Sequence, residues 1–175
     1  NDGFNQLALR AGLHWREIII VRAYYRFLRQ VFLRYSQEYV VTTLASNPNM
    51  AARLVRLFHA RFDPEAEDDR PEKMVGIQKE IGEGIERVAN LDEDRILSAY
   101  LNVIESTLRT NFYQRDSLGK PHEYLSLKFD SSAILHMPNP QPLYEIFVYS
   151  PRMEAIHLRG GKVARGGLRW SDRPE

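Results

Sequence analysis

The residues with the greatest capacity for chemistry lie near the end of the sequence, in Gly160-Gly161-Lys162-Val163-Ala164-Arg165-Gly166-Gly167-Leu168-Arg169-Trp170-Ser171-Asp172-Arg173. Two glycine pairs, 160–161 and 166–167, each directly follow an arginine. Paired glycines let a backbone approach a ligand closely, because no Cβ stands between them. Arg165 and Arg169 supply planar guanidinium forks that match carboxylates. The local charge is strongly positive, so an anionic ligand is the natural partner. The segment is not a phosphate-binding loop, since no Gly-Lys-Ser/Thr closes it, and it lacks the Gly-x-Gly-x-x-Gly of a dinucleotide fingerprint. On residue types alone, a turn with solvated arginines fits it equally well. His14, His59, His122, His136 and His157 form no helix-spaced metal set and are expected to be structural or surface residues. No Ser-His-Asp signature or nucleophile elbow is present.

Elements must position that segment, and composition says what kind. Hydrophobic residues make up 43% and charged residues 27% of the chain, the balance of an ordinary soluble globular protein. The 175 residues suffice for one domain or a little more. A chain of this length buries roughly 70% of its unfolded surface. The absence of cysteine excludes disulfides and thiolate metal sites and fits a reducing compartment, so a cytoplasmic location is expected. The apolar runs are short and broken by arginine, so no bilayer span and no membrane partner are expected. Asn1-Asp2-Gly3 does not open a signal peptide. The start, and the end at Arg173-Pro174-Glu175, read as cuts in a longer chain.

The net charge of +1 points to no particular partner, but the charge is unevenly spread. Residues 1–62 hold nine Lys/Arg and three Asp/Glu, whereas residues 63–95 hold twelve Asp/Glu and five Lys/Arg. On a 3.6-residue wheel Arg22, Arg26 and Arg29 share one face. That stripe has two readings. It is a face for nucleic acid or another acidic partner, which would make the chain a non-enzymatic helical adaptor. Alternatively it is a solvated face, or one that packs on the acidic residues 63–95. The near-zero net charge favours the second, with no nucleic acid bound.

Hydrophobic spacing predicts helices over the first two-thirds. A short one spans about residues 5–11, with Gly12 as a break. The next, over 14–34, carries Trp15, Ile18, Val21, Tyr25, Leu28 and Phe32 on one face. Tyr24, Tyr25 and Phe27 are expected in the core. A helix follows from about Ser36 to Ala45. Asn47 is expected as N-cap and Pro48 as first residue of another, which carries Ala51, Leu54, Leu57 and Phe58 and ends near Phe62. Residues 63–71 read as an acidic loop. Pro71 opens a helix striped by Ile77, Ile81, Ile85 and Val88, in which Gly82 and Gly84 permit close packing. Asp92 is expected to cap a last helix with Ile96, Tyr100, Val103 and Thr107 on one face, ending near Asn111. The period then changes to two. Leu125, Leu127 and Phe129 mark a half-buried strand, residues 143–149 a more buried one, and Ile156 and Leu158 a third. The fold class is α+β: a bundle of five or six helices over residues 1–111, then the first strands of an α/β domain over residues 112–175.

Arg165-Gly166-Gly167-Leu168-Arg169-Trp170-Ser171-Asp172-Arg173 closely resembles a segment of the large NAD-dependent glutamate dehydrogenases. It is also similar to the Lys-Gly-Gly-Ile-Arg-Phe segment of the shorter hexameric glutamate dehydrogenases. The helical part, including Leu9-Arg10-Ala11-Gly12-Leu13 and Trp15-Arg16-Glu17, resembles the region preceding the catalytic domain of the large class. The resemblance implies oxidative deamination of L-glutamate to 2-oxoglutarate and ammonium, with NAD, by a parent enzyme that assembles as a homo-oligomer. In the shorter enzymes the Lys of this segment contacts the substrate's side-chain carboxylate, and Arg165 stands at the matching position. The implied substrate-binding residues are therefore Arg165, Gly166, Gly167 and Arg169, with the contact falling to Arg165 or Arg169. The catalytic Lys and Asp and the nicotinamide-binding domain follow this segment in the family. The chain is thus expected to carry no proton-transferring group, to bind no NAD itself and to be inactive alone.

Overall fold

The computed structural model describes residues 3–65 and 69–160, together with the backbone of residues 169–170. Six α-helices come first among them: α1 (Gln6–Arg10), α2 (Trp15–Val31), α3 (Gln37–Ser46), α4 (Pro48–Phe62), α5 (Arg70–Glu86) and α6 (Leu91–Glu105). Strands follow: β1 (Thr107–Thr110), β2 (Leu125–Asp130), β3 (Tyr144–Tyr149), β4 (Glu154–Arg159) and β5 (Arg169–Trp170). They form one sheet in the order β1-β2-β3-β4-β5, each neighbour antiparallel. The expected α+β class, with helices preceding strands, is the observed one.

Local chemistry fixes the helix ends. Glu17 Oε2 accepts from the His14 backbone N–H at 2.7 Å, while His14 Nδ1 accepts from the Arg16 N–H at 3.4 Å, which together cap α2. Ser36 Oγ accepts from the Tyr39 N–H at 3.2 Å and starts α3. Pro48 takes the first position of α4, where its missing N–H costs nothing. Asn47 holds the N-cap position without a side-chain cap bond. Its Nδ2 instead donates to the Thr43 carbonyl at 2.9 Å and to Glu93 Oε2 at 3.0 Å, joining the end of α3 to the start of α6.

Helix α2 stops at Val31, short of the expected residue 34, α5 stops at Glu86, before Val88 of its expected stripe, and both ends of α6 differ from the sequence expectation. The cap of α6 is Asn90, whose Oδ1 accepts from the Asp92 N–H at 2.8 Å. Asp92 lies in the first turn instead, where its carboxylate complements the helix dipole and accepts from the Tyr35 hydroxyl at 2.7 Å. The same helix stops at Glu105 rather than near Asn111. The Ser106 and Thr107 hydroxyls donate back to the carbonyls of Asn102 (2.7 Å) and Val103 (2.6 Å), satisfying two of its terminal acceptors. The chain then leaves as β1, pairing Thr110 with Leu127.

Helix α2 lies on the inner face of the sheet. Phe27 stacks on Phe129 with ring centroids 4.0 Å apart and lies 5.7 Å from Phe147. Tyr24 meets Phe58 and Phe129 edge-on. A single cluster of buried side chains runs from Phe4 to Ile156, across helices and strands alike. Trp15, expected on the buried stripe, is 61% exposed, and the packed stripe begins at Ile18.

Gly84 and Gly82 have different surroundings. A Cβ on Gly84 would collide with Met50 Sδ of α4, whereas one on Gly82 meets nothing within 4 Å. Helix propensity alone therefore governs Gly82. Gly82→Ala is expected to raise unfolding free energy by about 0.5–1 kcal/mol. Gly84→Ala should gain less or lose, and urea denaturation midpoints of the two variants check the contrast.

Tyr24 and Tyr100 are fully buried, their hydroxyls bonded to Thr107 Oγ1 (2.9 Å) and to the Val21 carbonyl (3.1 Å). Burial pushes both phenols above their ordinary value. Because the folded pKa is raised, the stabilisation is complete below the unfolded value of about 10 and is lost as pH rises from there towards the folded value. Unfolding free energy should thus fall above pH 10, by up to about 1.4 kcal/mol per pH unit for each tyrosine. Denaturant midpoints measured between pH 8 and pH 11 check it, and a flat profile would contradict it.

Candidate functional site

Strand β4 precedes the Gly/Arg segment in the chain. That strand pairs with β3 along its length, Tyr144 opposite Arg159 and Tyr149 opposite Glu154. On its other edge it pairs with β5, Ile156 opposite Arg169 and Ala155 opposite Trp170. The described residues on either side of the segment, Arg159 and Arg169, thus belong to the adjacent strands β4 and β5. Arg165, Gly166 and Gly167 lie outside the described residues. Arg169 is placed by its backbone alone, at the register position facing Ile156.

Helix α2 anchors this strand to the helical layer. Arg26 Nε pairs with Glu154 Oε1 at 3.2 Å, and Gln30 Nε2 donates to Glu154 Oε2 at 3.3 Å. Glu154 is the first residue of β4, so α2 fixes the start of the strand that leads into the segment. At its far end the strand enters cationic surroundings. The Arg159 guanidinium lies 5.9 Å from the Tyr144 ring centroid, and Lys128 Nζ lies 4.3 Å from the same ring. One cation from β2 and one from β4 thus lie against the ring of Tyr144 on the strand between them. Glu145, on the neighbouring strand, is fully buried and has an interaction partner. No spacing rule singled out this carboxylate inside the apolar run of residues 143–149. An acid in a buried strand was itself the signal, because buried carboxylates are paired.

The arginine stripe of α2 is engaged within the fold. Arg26 is tied to Glu154, outside residues 63–95. The Arg22 guanidinium donates to Asn5 Oδ1 at 3.2 Å and lies over Phe4, and Arg29 lies 6.0 Å from the Tyr25 ring centroid. The acidic α5 finds its partners on α4 instead. Glu80 Oε2 lies 3.1 Å from Arg53 Nε and 3.7 Å from Arg56. Charge complementarity between the two halves is thus real, but α4 carries it.

A second polar cluster went unforeseen. His59 Nδ1 is hydrogen-bonded to the Tyr113 hydroxyl, and His59 Nε2 lies 2.9 Å from Glu17 Oε1. The three side chains come from α4, the loop after β1, and α2. Burial raises the Tyr113 phenol, with Asp63 and Glu17 adding to the effect and Arg16 and Arg70 opposing it. Arg16 donates to the Phe112 carbonyl at 2.7 Å and covers its ring at 4.4 Å. The cluster holds the loop against both helices. Among the described residues there is no group of three or more His, Cys, Asp or Glu side chains arranged to hold a metal ion. No described helix is long and apolar enough to cross a membrane.

Comparison with known proteins matches α1–α4 to one family model and the end of α5, α6 and the strands to another. Residues 80–175 match the family model described as the bacterial NAD-glutamate dehydrogenase catalytic domain, and residues 1–64 match that of glutamate dehydrogenase helical motif 3. The chain is 49% identical over 175 residues to a NAD-specific glutamate dehydrogenase of Halomonas elongata. It is 49% identical over 178 residues to one of Pseudomonas aeruginosa, and 42% identical over 174 residues to one of Mycobacterium tuberculosis. These alignments cover 98–100% of this chain and 11% of each relative, so the chain spans about a ninth of their length. The motif, the strands that carry it and the helices behind them point the same way: the chain belongs to the bacterial NAD-glutamate dehydrogenase family.

Proposed function

We propose that this chain is the part of a NAD-dependent glutamate dehydrogenase that brings a Gly/Arg segment to the substrate. The reaction is the oxidative deamination of L-glutamate to 2-oxoglutarate and ammonium. Residues 1–111 serve as the helical scaffold, and residues 112–175 begin the substrate-binding part of the catalytic domain. This division leaves β1 on the scaffold side. The observation that carries the reading is the match of residues 80–175 to the family's catalytic domain, which contains the Gly/Arg segment. Arg165 and Arg169 within that segment carry the positive charge that an anionic ligand requires. Arg165, Gly166, Gly167 and Arg169 are the substrate-facing residues, Arg165 holding a carboxylate of glutamate. NAD is bound by parts of the parent outside this chain. The parent is a cytoplasmic homo-oligomer without nucleic-acid or membrane partners.

The test is absorbance at the NADH band during incubation with glutamate and NAD. The full-length enzyme is expected to reduce NAD in a glutamate-dependent way. The 175-residue chain alone should give no turnover above a protein-free control. Absence of glutamate-dependent NADH formation by the full-length enzyme would overturn the reading. Turnover by the isolated chain would overturn the assignment of the reacting groups to other parts of the parent.

A further inference from the structure

A groove enclosing about 890 Å³ runs between the first turn of α2 and the ends of β2 and β3, open along one side. Its lining is mostly apolar. Trp15, Tyr124 and Met153 stand in it 61%, 46% and 43% exposed, in a molecule whose other large aromatic side chains are mostly packed. The ionic residues of its wall are Arg16, Lys120 and Arg152 against the single acid Glu123. Neither the helical cap of α2 nor the hairpin at residues 150–153 needs Trp15 or Met153 exposed. The groove is therefore a surface shaped for contact, and contiguous apolar surface rimmed by charge marks such sites.

We infer that this groove seats an acidic amphipathic helix from another part of the same polypeptide, an inference that rests on the reading of the chain as a piece of the longer dehydrogenase. Three features select that occupant. An open trough with spaced apolar anchors suits one helix face, presenting residues at i, i+3 and i+4, better than it suits a small molecule, which requires enclosure on most sides. The excess of cations on the wall requires an acidic flank. The relatives extend far beyond the matched 11%, and a tethered segment meets the groove at a high effective concentration that a separate molecule lacks.

The experiment uses full-length enzyme carrying Tyr124→p-benzoylphenylalanine, irradiated and digested, with cross-linked peptides identified by mass spectrometry. A cross-link to a peptide of the same polypeptide outside residues 1–175, bearing Asp or Glu between helix-spaced apolar residues, is the expected result. Mixing isotopically heavy and light subunits assigns the link, and it should stay within one subunit. Heavy–light links, which signify a second copy, overturn the inference, as does a link to a different protein or to a bound small molecule. Hydroxyl-radical footprinting of the unmodified enzyme provides a readout independent of any variant. Relative to the intrinsic reactivity of each residue type, Trp15 and Met153 should be protected to the level of the buried Met50, and protection factors as low as that of the exposed Leu9 overturn the inference. Glutamate-dependent NAD reduction by the same preparation separates the two levels. An active enzyme with an open groove refutes the docking alone, whereas an inactive one refutes the functional reading beneath it.

Discussion

Arg165→Ala in the full-length enzyme is expected to lower kcat/KM for glutamate by roughly 10- to 150-fold. A charge-assisted hydrogen bond to a carboxylate contributes about 1.5–3 kcal/mol, and each 1.4 kcal/mol is a factor of ten in the specificity constant. The apparent affinity for NAD should change little, because the cofactor is bound elsewhere in the parent. Arg165→Lys should recover part of the loss, since Lys restores the charge but not the fork. The rival is Arg169, which occupies the register position facing Ile156 on β5. Steady-state kinetics of both alanine variants decide between them. If Arg165→Ala retains wild-type kcat/KM while Arg169→Ala loses it, the contact belongs to Arg169. If neither matters, the segment is structural.

The second large effect concerns the seam between the layers. Phe129 is fully buried on β2, stacked on Phe27 of α2 and edge-on to Tyr24. Phe129→Ala removes that ring from the place where helix and sheet meet. The loss should be about 3–5 kcal/mol, the sum of lost transfer free energy and a partly unrelaxed cavity. A domain is stable by only about 5–15 kcal/mol, so the variant approaches the limit of folding. Phe129→Leu keeps most of the volume and should cost distinctly less. Denaturant unfolding followed by far-ultraviolet circular dichroism compares them. Equal, small losses for both variants would show that the two layers are stabilised separately.

Most of the architecture could be read from periodicity. Ile18, Val21, Tyr25 and Leu28 are buried on α2 as their spacing requires, and Leu125, Leu127 and Phe129 are buried on β2 as their alternation requires. Proline at position 48 marks the start of α4 because its preference is local. What could not be read depends on partners distant in sequence. Thr107 has helix spacing with Tyr100 and Val103, yet its hydroxyl closes α6, bonds Tyr24, and lies on a strand because β2 is there to pair with it. Asn90 and Asp92 are both competent caps, and the Tyr35 hydroxyl engages the second. The cluster of Glu17, His59 and Tyr113 is joined by hydrogen bonds between residues 42 and 54 positions apart, which no local spacing could anticipate. Of the candidate site, the residue types were legible in the Gly/Arg segment, and the structure adds the pairing of β4 with β5 on either side of it.

A structure of the full-length enzyme with glutamate bound tests the role of Arg165 most directly. The Arg165 guanidinium should lie within hydrogen-bonding distance, about 2.7–2.9 Å, of a substrate carboxylate oxygen, with Gly166 and Gly167 backing the ligand and β4 leading into the segment from α2. Glutamate held elsewhere, with Arg165 and Arg169 both turned away from it, would contradict the proposed role of this chain.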